Sequence, residues 1–297
     1  MANTTYYYAV KAWSSNFSRH SELSAYKSAV TSASAGAVLT WTHTGNLPVG
    51  MYGHKAAVKD GKIIVSIENK VFVSHNGSSW TEYLAFPDPV YMADHQYIHL
   101  NNKLWTVGGL TVNGGYFDSS RAVFSSTNGS VWTQASAVSG LTDGISRHTA
   151  LSFDNAAWVI GGQTTSGMDN LQTTNKVWKS TDGANWTSYT PNGLSARAGA
   201  AGVVYNGYMW ITGGCMTGGM QEYRDVLRST NGTSWTTVTS APAWVKRNSH
   251  SLAANTTGMY LIGGNGGPDG SFLNDVWFST NGAAWTEKTN APFPPRA

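Results

Sequence analysis

Apolar residues along the chain fall in short runs that end in a glycine pair: KLWTVGG (103–109), AWVIGG (157–162), MWITGG (209–214) and MYLIGG (259–264). Each run is shorter than an ordinary helix and rich in β-branched and aromatic residues, so each reads as a buried strand. A segment of more even alternation precedes it, as in HTALSF (148–153), with a short turn such as DN or NG between. A longer polar stretch follows. Then come a third run, KVWKS (176–180), a tight TDG turn, and a fourth run, NWTSY (185–189). The pattern predicts units of four antiparallel strands.

The units repeat. Trp followed by Thr occurs at Trp41, Trp80, Trp132, Trp186, Trp235 and Trp285, at intervals of 39, 52, 54, 49 and 50 residues. A histidine stands 13 residues before three of the glycine pairs, at His95, His148 and His250. His54 holds the matching place in a first unit whose pair has become Ile67-Glu68, and Ala200 holds it in the fourth. Four-stranded sheets at a period of about 50 residues are what a β-propeller needs. The expected fold is therefore all-β, a propeller of five complete units plus a partial sixth, six blades in all.

The turns before Trp-Thr read SHNG (74–77), STNG (126–129), STDG (180–183), STNG (229–232) and STNG (279–282). Asn-Gly and Asp-Gly accept positive φ at low cost, as a hairpin of the right twist requires. The Ser hydroxyl can bond local backbone, and the Trp offers a flat surface for packing one blade on the next. The turn reads as scaffold.

On the Arg or His strand start, the Gly pair, the DVW or KVW third strand and the Trp-Thr fourth strand, the repeats resemble kelch repeats over about residues 50–290, a family that includes the galactose-oxidase-type propeller. The turn also resembles the sialidase Asp-box, Ser-x-Asp-x-Gly-x-x-Trp, with one residue fewer before the Gly. Both resemblances imply a structural hairpin remote from any active site. Residues 1–33, with TTYYYAVKAW and SELSAYKSAVTS, resemble the last two strands of a fibronectin type III domain, which leaves 34–297 as the propeller. AVLTWTHTG (37–45) supplies an extra fourth strand, and Arg296 matches Arg247 and Arg197 as a run into another unit. The two ends are expected to share the sixth blade, which removes exposed sheet edges. A piece of a longer polypeptide is the alternative.

Composition narrows the function. Charged residues are 12% of 297, the formal charge is +3 and no dense Lys/Arg run exists, so no nucleic acid or membrane surface is expected as a partner. The first residues, MANTTYYYAV, lack the pattern of a secretory signal, and no run of about 18 apolar residues marks a membrane-spanning helix. Cys215 is alone, which excludes an intrachain disulfide and reads as a small buried residue.

In a four-stranded blade the 1–2 and 3–4 turns lie on one face, and the 2–3 loops and inter-blade links on the other. The first set is short and uniform and the second long and varied, so recognition is expected on the second. Arg147, Arg197 and Arg247 are expected to ring the channel mouth with Tyr91, Asp94 and Trp244, and Tyr116, Met168, Met220 and Tyr223 lie in the 2–3 loops. Arginines with aromatics at a concave mouth suit sugars, carboxylates or an acidic peptide. The competing expectation is that repeated arginines bond neighbouring carbonyls and serve the repeat.

Enzyme signals are weak. The recurring histidines read as strand-end residues, not as ligands of one metal. No pattern matches a galactose-oxidase copper site, so the resemblance implies no such activity, and no cofactor is expected. Paired carboxylates for glycoside cleavage would have to come from Asp94, Asp143, Asp169 or Asp269, which nothing aligns. The expectation is a non-catalytic binding or structural module of a virion or extracellular surface protein, such as a phage tail fibre or an adhesin. It would recognise a host glycan or protein through the 2–3 loop face. The alternatives are a polysaccharide-acting propeller enzyme and an assembly unit completed by another chain.

Overall fold

A computed structural model describes residues 4–8, 25–31, 40–48, 54–84, 86, 93–113, 116–135, 138–165, 171–217, 221–266, 270–288, 291–292 and 294–295. There is no α-helix among them. Strands β1 (Thr4–Tyr8), β2 (Ala25–Thr31) and β3 (Thr40–Asn46) form a three-stranded antiparallel sheet. Five four-stranded sheets follow. Blade 1 is β4 (Lys55–Lys59), β5 (Lys62–Ile67), β6 (Lys70–Ser74) and β7 (Thr81–Leu84). Blade 2 is β8 (Gln96–Leu100), β9 (Lys103–Val107), β12 (Val123–Ser126) and β13 (Thr133–Gln134), with hairpin β10 (Leu110–Asn113) and β11 (Tyr116–Ser119) in its 2–3 loop. Blade 3 is β14 (Thr149–Phe153), β15 (Ala156–Ile160), β18 (Val177–Ser180) and β19 (Thr187–Tyr189), with hairpin β16 (Gln163–Thr165) and β17 (Leu171–Thr173). Blade 4 is β20 (Ala201–Tyr205), β21 (Tyr208–Thr212), β22 (Val226–Ser229) and β23 (Thr236–Thr239). Blade 5 is β24 (Ser251–Asn255), β25 (Gly258–Asn265), β26 (Phe272–Ser279) and β27 (Thr286–Lys288). The molecule is a β-propeller.

The core lies between blades. Ile98, Leu100 and Trp105 of blade 2 pack with Ala157, Val159, Trp178 and Trp186 of blade 3. Trp158 and Ile160 of blade 3 pack with Met209, Ile211 and Trp235 of blade 4. Each link adds a buried side chain to such a seam: Phe86, Leu141, Leu194 and Trp244. A buried side chain of this size contributes about 1.5–3 kcal/mol, so the seams carry most of the hydrophobic stabilisation.

The five turns close on themselves. In the fourth blade Ser229 Oγ accepts the N–H of Gly232 at 2.8 Å, and Asn231 Oδ1 accepts those of Thr233 and Ser234 at 3.0 and 2.9 Å. The Trp of every unit donates its indole N–H to the turn glycine's carbonyl, at 2.9–3.2 Å across Trp80, Trp132, Trp186, Trp235 and Trp285. The turn glycine then rests on a second-strand side chain of the preceding blade: Gly129 on Ile64, Gly183 on Trp105, Gly232 on Trp158 and Gly282 on Trp210. In blade 1 the turn glycine Gly77 instead faces Thr44 of β3, an end strand of the three-stranded sheet.

Candidate functional site

The inner strands surround a central channel of about 290 Å³ lined from His54 to Val58, by Gln96, and by matching stretches starting at Arg147, Gly199 and Ser249. Arg147 has φ 52° and reaches across this ring, donating from Nη2 to Asn248 Oδ1 at 3.0 Å and to Ser249 Oγ at 3.2 Å. Asn248 in turn donates to Glu222 Oε1 at 2.8 Å. Backbone bonds continue round the mouth, from Arg147 N–H to Asp94, from Gly199 to Arg147 and from Ser249 to Gly199.

Arg197 and Arg247 are buried away from the mouth, which fits the competing expectation that repeated arginines serve the repeat. Each is buried and bound two-pronged to a third-strand carboxylate, Arg197 to Asp225 at 2.7 and 2.8 Å and Arg247 to Asp275 at 2.7 and 2.7 Å. Each also donates to the first carbonyl of its glycine pair, Gly213 at 2.9 Å and Gly263 at 2.8 Å. Each buried guanidinium makes four hydrogen bonds at once, two to the carboxylate and two to backbone carbonyls. Trp244 is fully buried in the seam between blades 4 and 5, so it packs and does not line the mouth. Asp94 is buried at the start of blade 2, with φ 56°. Tyr223 donates to the Ala196 carbonyl at 3.2 Å and lies under the Arg197 guanidinium at 4.3 Å. Burial raises its phenol pKa, and the Arg197 charge opposes that. Tyr116 is in β11, and Tyr91, Met168, Met220, Asp169, Asp269 and Arg296 lie outside the described residues.

The repeat histidines turn into the seams. His95 Nε2 meets Ser66 Oγ of the preceding blade at 2.6 Å, and His250 Nε2 meets Thr212 Oγ1 at 2.8 Å. In both, the partner is a hydroxyl of the second strand one blade back. Burial drives the His250 pKa well down, and it takes that of His148 to about 3, with Lys55 adding to the effect and Asp94 opposing it. Cys215 is buried, its thiol pKa raised chiefly by that burial. No group of three or more His, Cys, Asp or Glu is placed to hold a metal ion among the described residues.

Two grooves open on the loop face, each between neighbouring blades. One, of about 630 Å³, lies between blades 2 and 3 and is lined by Asp118, Arg121, Asp143, Gln172, Thr173 and Lys176 with Trp178 beneath. The other, of about 590 Å³, lies between blades 4 and 5 and is lined by Glu222, Tyr223, Arg224, Val245 and Lys246. Of the first groove's residues only Asp143 was singled out by sequence, because most of the others sit in 2–3 loops that follow no repeat. A usable signal was present: Lys176 occupies the third-strand position that Asp225 and Asp275 hold in blades 4 and 5.

The fold class is a β-propeller of four-stranded blades. In sequence, the chain is 26% identical over 136 residues to kelch repeat protein M-T8 of Myxoma virus (strain Lausanne), a match that spans 46% of this chain and 25% of the viral protein. In structure, it is similar to YjhT with a TM-score of 0.75, at 17% identity, over 97% of this chain and 95% of that one. No family model matches the chain.

Proposed function

We propose that the chain is a non-catalytic recognition module of a virion or extracellular surface protein, which binds a glycan or protein through the 2–3 loop face. The observation that carries this reading is the asymmetry of the two faces. The turn face is made of self-bonded Ser-Thr-Asn-Gly hairpins. The loop face holds two grooves of about 630 and 590 Å³ lined by varied polar side chains. A rigid scaffold with variation confined to one face is how binding sites are commonly built. The Gly/Ser/Thr/Asn-rich, charge-poor composition supports a setting outside a cell.

The test pairs a glycan array with a pull-down from candidate host surfaces, using the whole chain. Arg121→Ala or Arg224→Ala, one in each loop-face groove, is expected to weaken binding at least about tenfold according to which groove the partner enters, the loss of one charged hydrogen-bonding group. Thr181→Ala and Thr230→Ala on the turn face should leave it unchanged. No partner in either screen, or loop-face variants that bind like the parent, rejects the reading.

A further inference from the structure

The groove between blades 2 and 3 departs from the repeat. In blades 4 and 5 the start of the third strand carries Asp225 or Asp275, locked to a buried arginine. In blade 3 the matching places hold Ile145 and Lys176. Ile145 is buried in the seam, so the staple is absent and Lys176 turns outward. It meets Asp143 at 3.3 Å, with both side chains about half exposed (47% and 48%). An ion pair so exposed contributes about 0–1 kcal/mol, so a ligand hydroxyl can enter between its partners at little cost.

The rest of the groove is built from short, well-tied elements. Hairpins β10–β11 and β16–β17 stand side by side, joined where Ser119 Oγ donates to the Gln163 carbonyl at 3.2 Å and lies 3.1 Å from Ser146 Oγ. Thr217 of blade 4 props the second hairpin, its Oγ1 accepting from Thr173 N–H at 3.0 Å. Arg121 is fixed by donation to the Thr142 carbonyl at 3.3 Å. Donors and acceptors therefore face the groove from defined positions: Asp118, Arg121, Asp143, Thr164, Gln172 and Lys176.

Two carboxylates face two cations, so the groove has no net charge. Apolar side chains are nearly absent from it, and Trp178 is 1% exposed at its floor. A charged ligand would meet an equal share of like charge, and an apolar anchor would find no pocket to fill. A protein partner would need a broad patch with buried aromatic or aliphatic anchors. A ligand dense in hydroxyls and uncharged matches both the polarity and the size.

Resting on the loop-face reading above, we propose that the groove between blades 2 and 3 binds an uncharged saccharide. Carboxylates of Asp118 and Asp143 accept from sugar hydroxyls, and Arg121, Gln172 and Lys176 donate to ring and hydroxyl oxygens. The probe set is a panel of neutral oligosaccharides of glucose, galactose, mannose and N-acetylglucosamine, titrated calorimetrically against the whole chain. A member of the panel is expected to bind, with affinity changing less than about twofold between 0.1 and 1 M salt, as screening barely touches an uncharged ligand. Asp143→Ala and Gln172→Ala should each weaken it about tenfold or more, with thermal melting unchanged. Lys176→Gln, which keeps a donor but not the charge, should lose less than Lys176→Ala.

Neutral binding that survives the groove variants, or that falls only in Arg224→Ala of the other groove, overturns the proposal. So does a panel without a binder when acidic glycans or a protein bind the loop face, although the broader reading then stands. If neither screen yields a partner, both readings fail.

Discussion

Gly183 and Gly207 share a backbone conformation, with φ of 83° and 77°, but not a neighbourhood. A Cβ on Gly183 would lie 2.6 Å from the Trp105 ring of the preceding blade, whereas one on Gly207 would meet nothing within 4 Å. Alanine at either site costs about 1 kcal/mol for the left-handed backbone. Gly183→Ala adds overpacking of about 1–3 kcal/mol, since Trp105 sits in a filled seam. Urea denaturation of the two variants should show that difference, and equal losses would mean that turn and ring are not in contact. The neighbouring Asp182 supports the same turn. Its carboxylate accepts from Asn185 and Ala184 N–H and from the Asn185 amide, at 2.7–2.9 Å, and the Asn185 bonds above all hold its pKa far below the usual carboxylate range. The chemistry of this turn was legible in the sequence because Asn-Gly and Asp-Gly have few other uses. The ring beneath the glycine was not, because Trp105 belongs to a strand one blade back and 78 positions earlier.

Within a blade, Arg197 and Arg247 tie together three segments: the incoming link, the end of the second strand and the start of the third. Their partners stand at a constant offset of 28 residues in both blades. Removing one member leaves a buried charge without its counter-ion, which costs about 3–5 kcal/mol. Arg247→Ala should therefore unfold at a markedly lower urea concentration. Arg247→Lys should recover little of the loss, because a point charge cannot make the fork to Asp275 and also reach the Gly263 carbonyl. A lysine variant as stable as the parent would show that charge alone suffices. The fixed Arg-to-Asp offset was present in the sequence and points to architecture. Reading the arginines alone, at matching places near strand starts, left a role at the mouth and a role in the repeat both open, and the buried forks to Asp225 and Asp275 decide for the second. The 2–3 loops were legible as the variable face, but not as paired hairpins, since β10–β11 and β16–β17 lack any turn signal shared between units.

Across the whole wheel, the repeat histidines sit in the seams, and burial there lowers the pKa of His148 and His250. His95 and His250 spend one ring nitrogen on a hydroxyl of the preceding blade. His148, at the same position, is fully buried beside blade 2 and titrates in the folded chain only at about 3, for the burial described. An unfolded chain protonates the same imidazole near its ordinary value of 6.5. Between those limits the unfolded state binds more protons, so stability rises with pH. The contribution is complete above about pH 6.5 and is lost as pH falls toward 3, with a slope of up to about 1.4 kcal/mol per pH unit for each such histidine. His250 shifts in the same direction and should add its own slope. Blade 4 carries Ala200 at this position, so His148→Ala places in blade 3 a residue that the repeat already accommodates. The variant is expected to lose some stability at neutral pH through the cavity it leaves. Its denaturation midpoint should fall less steeply than the parent's on going from pH 6.5 to pH 4, by about one histidine's share. Parallel pH profiles for parent and variant would mean that His148 reaches solvent, and with it that the seam between blades 2 and 3 is open to water.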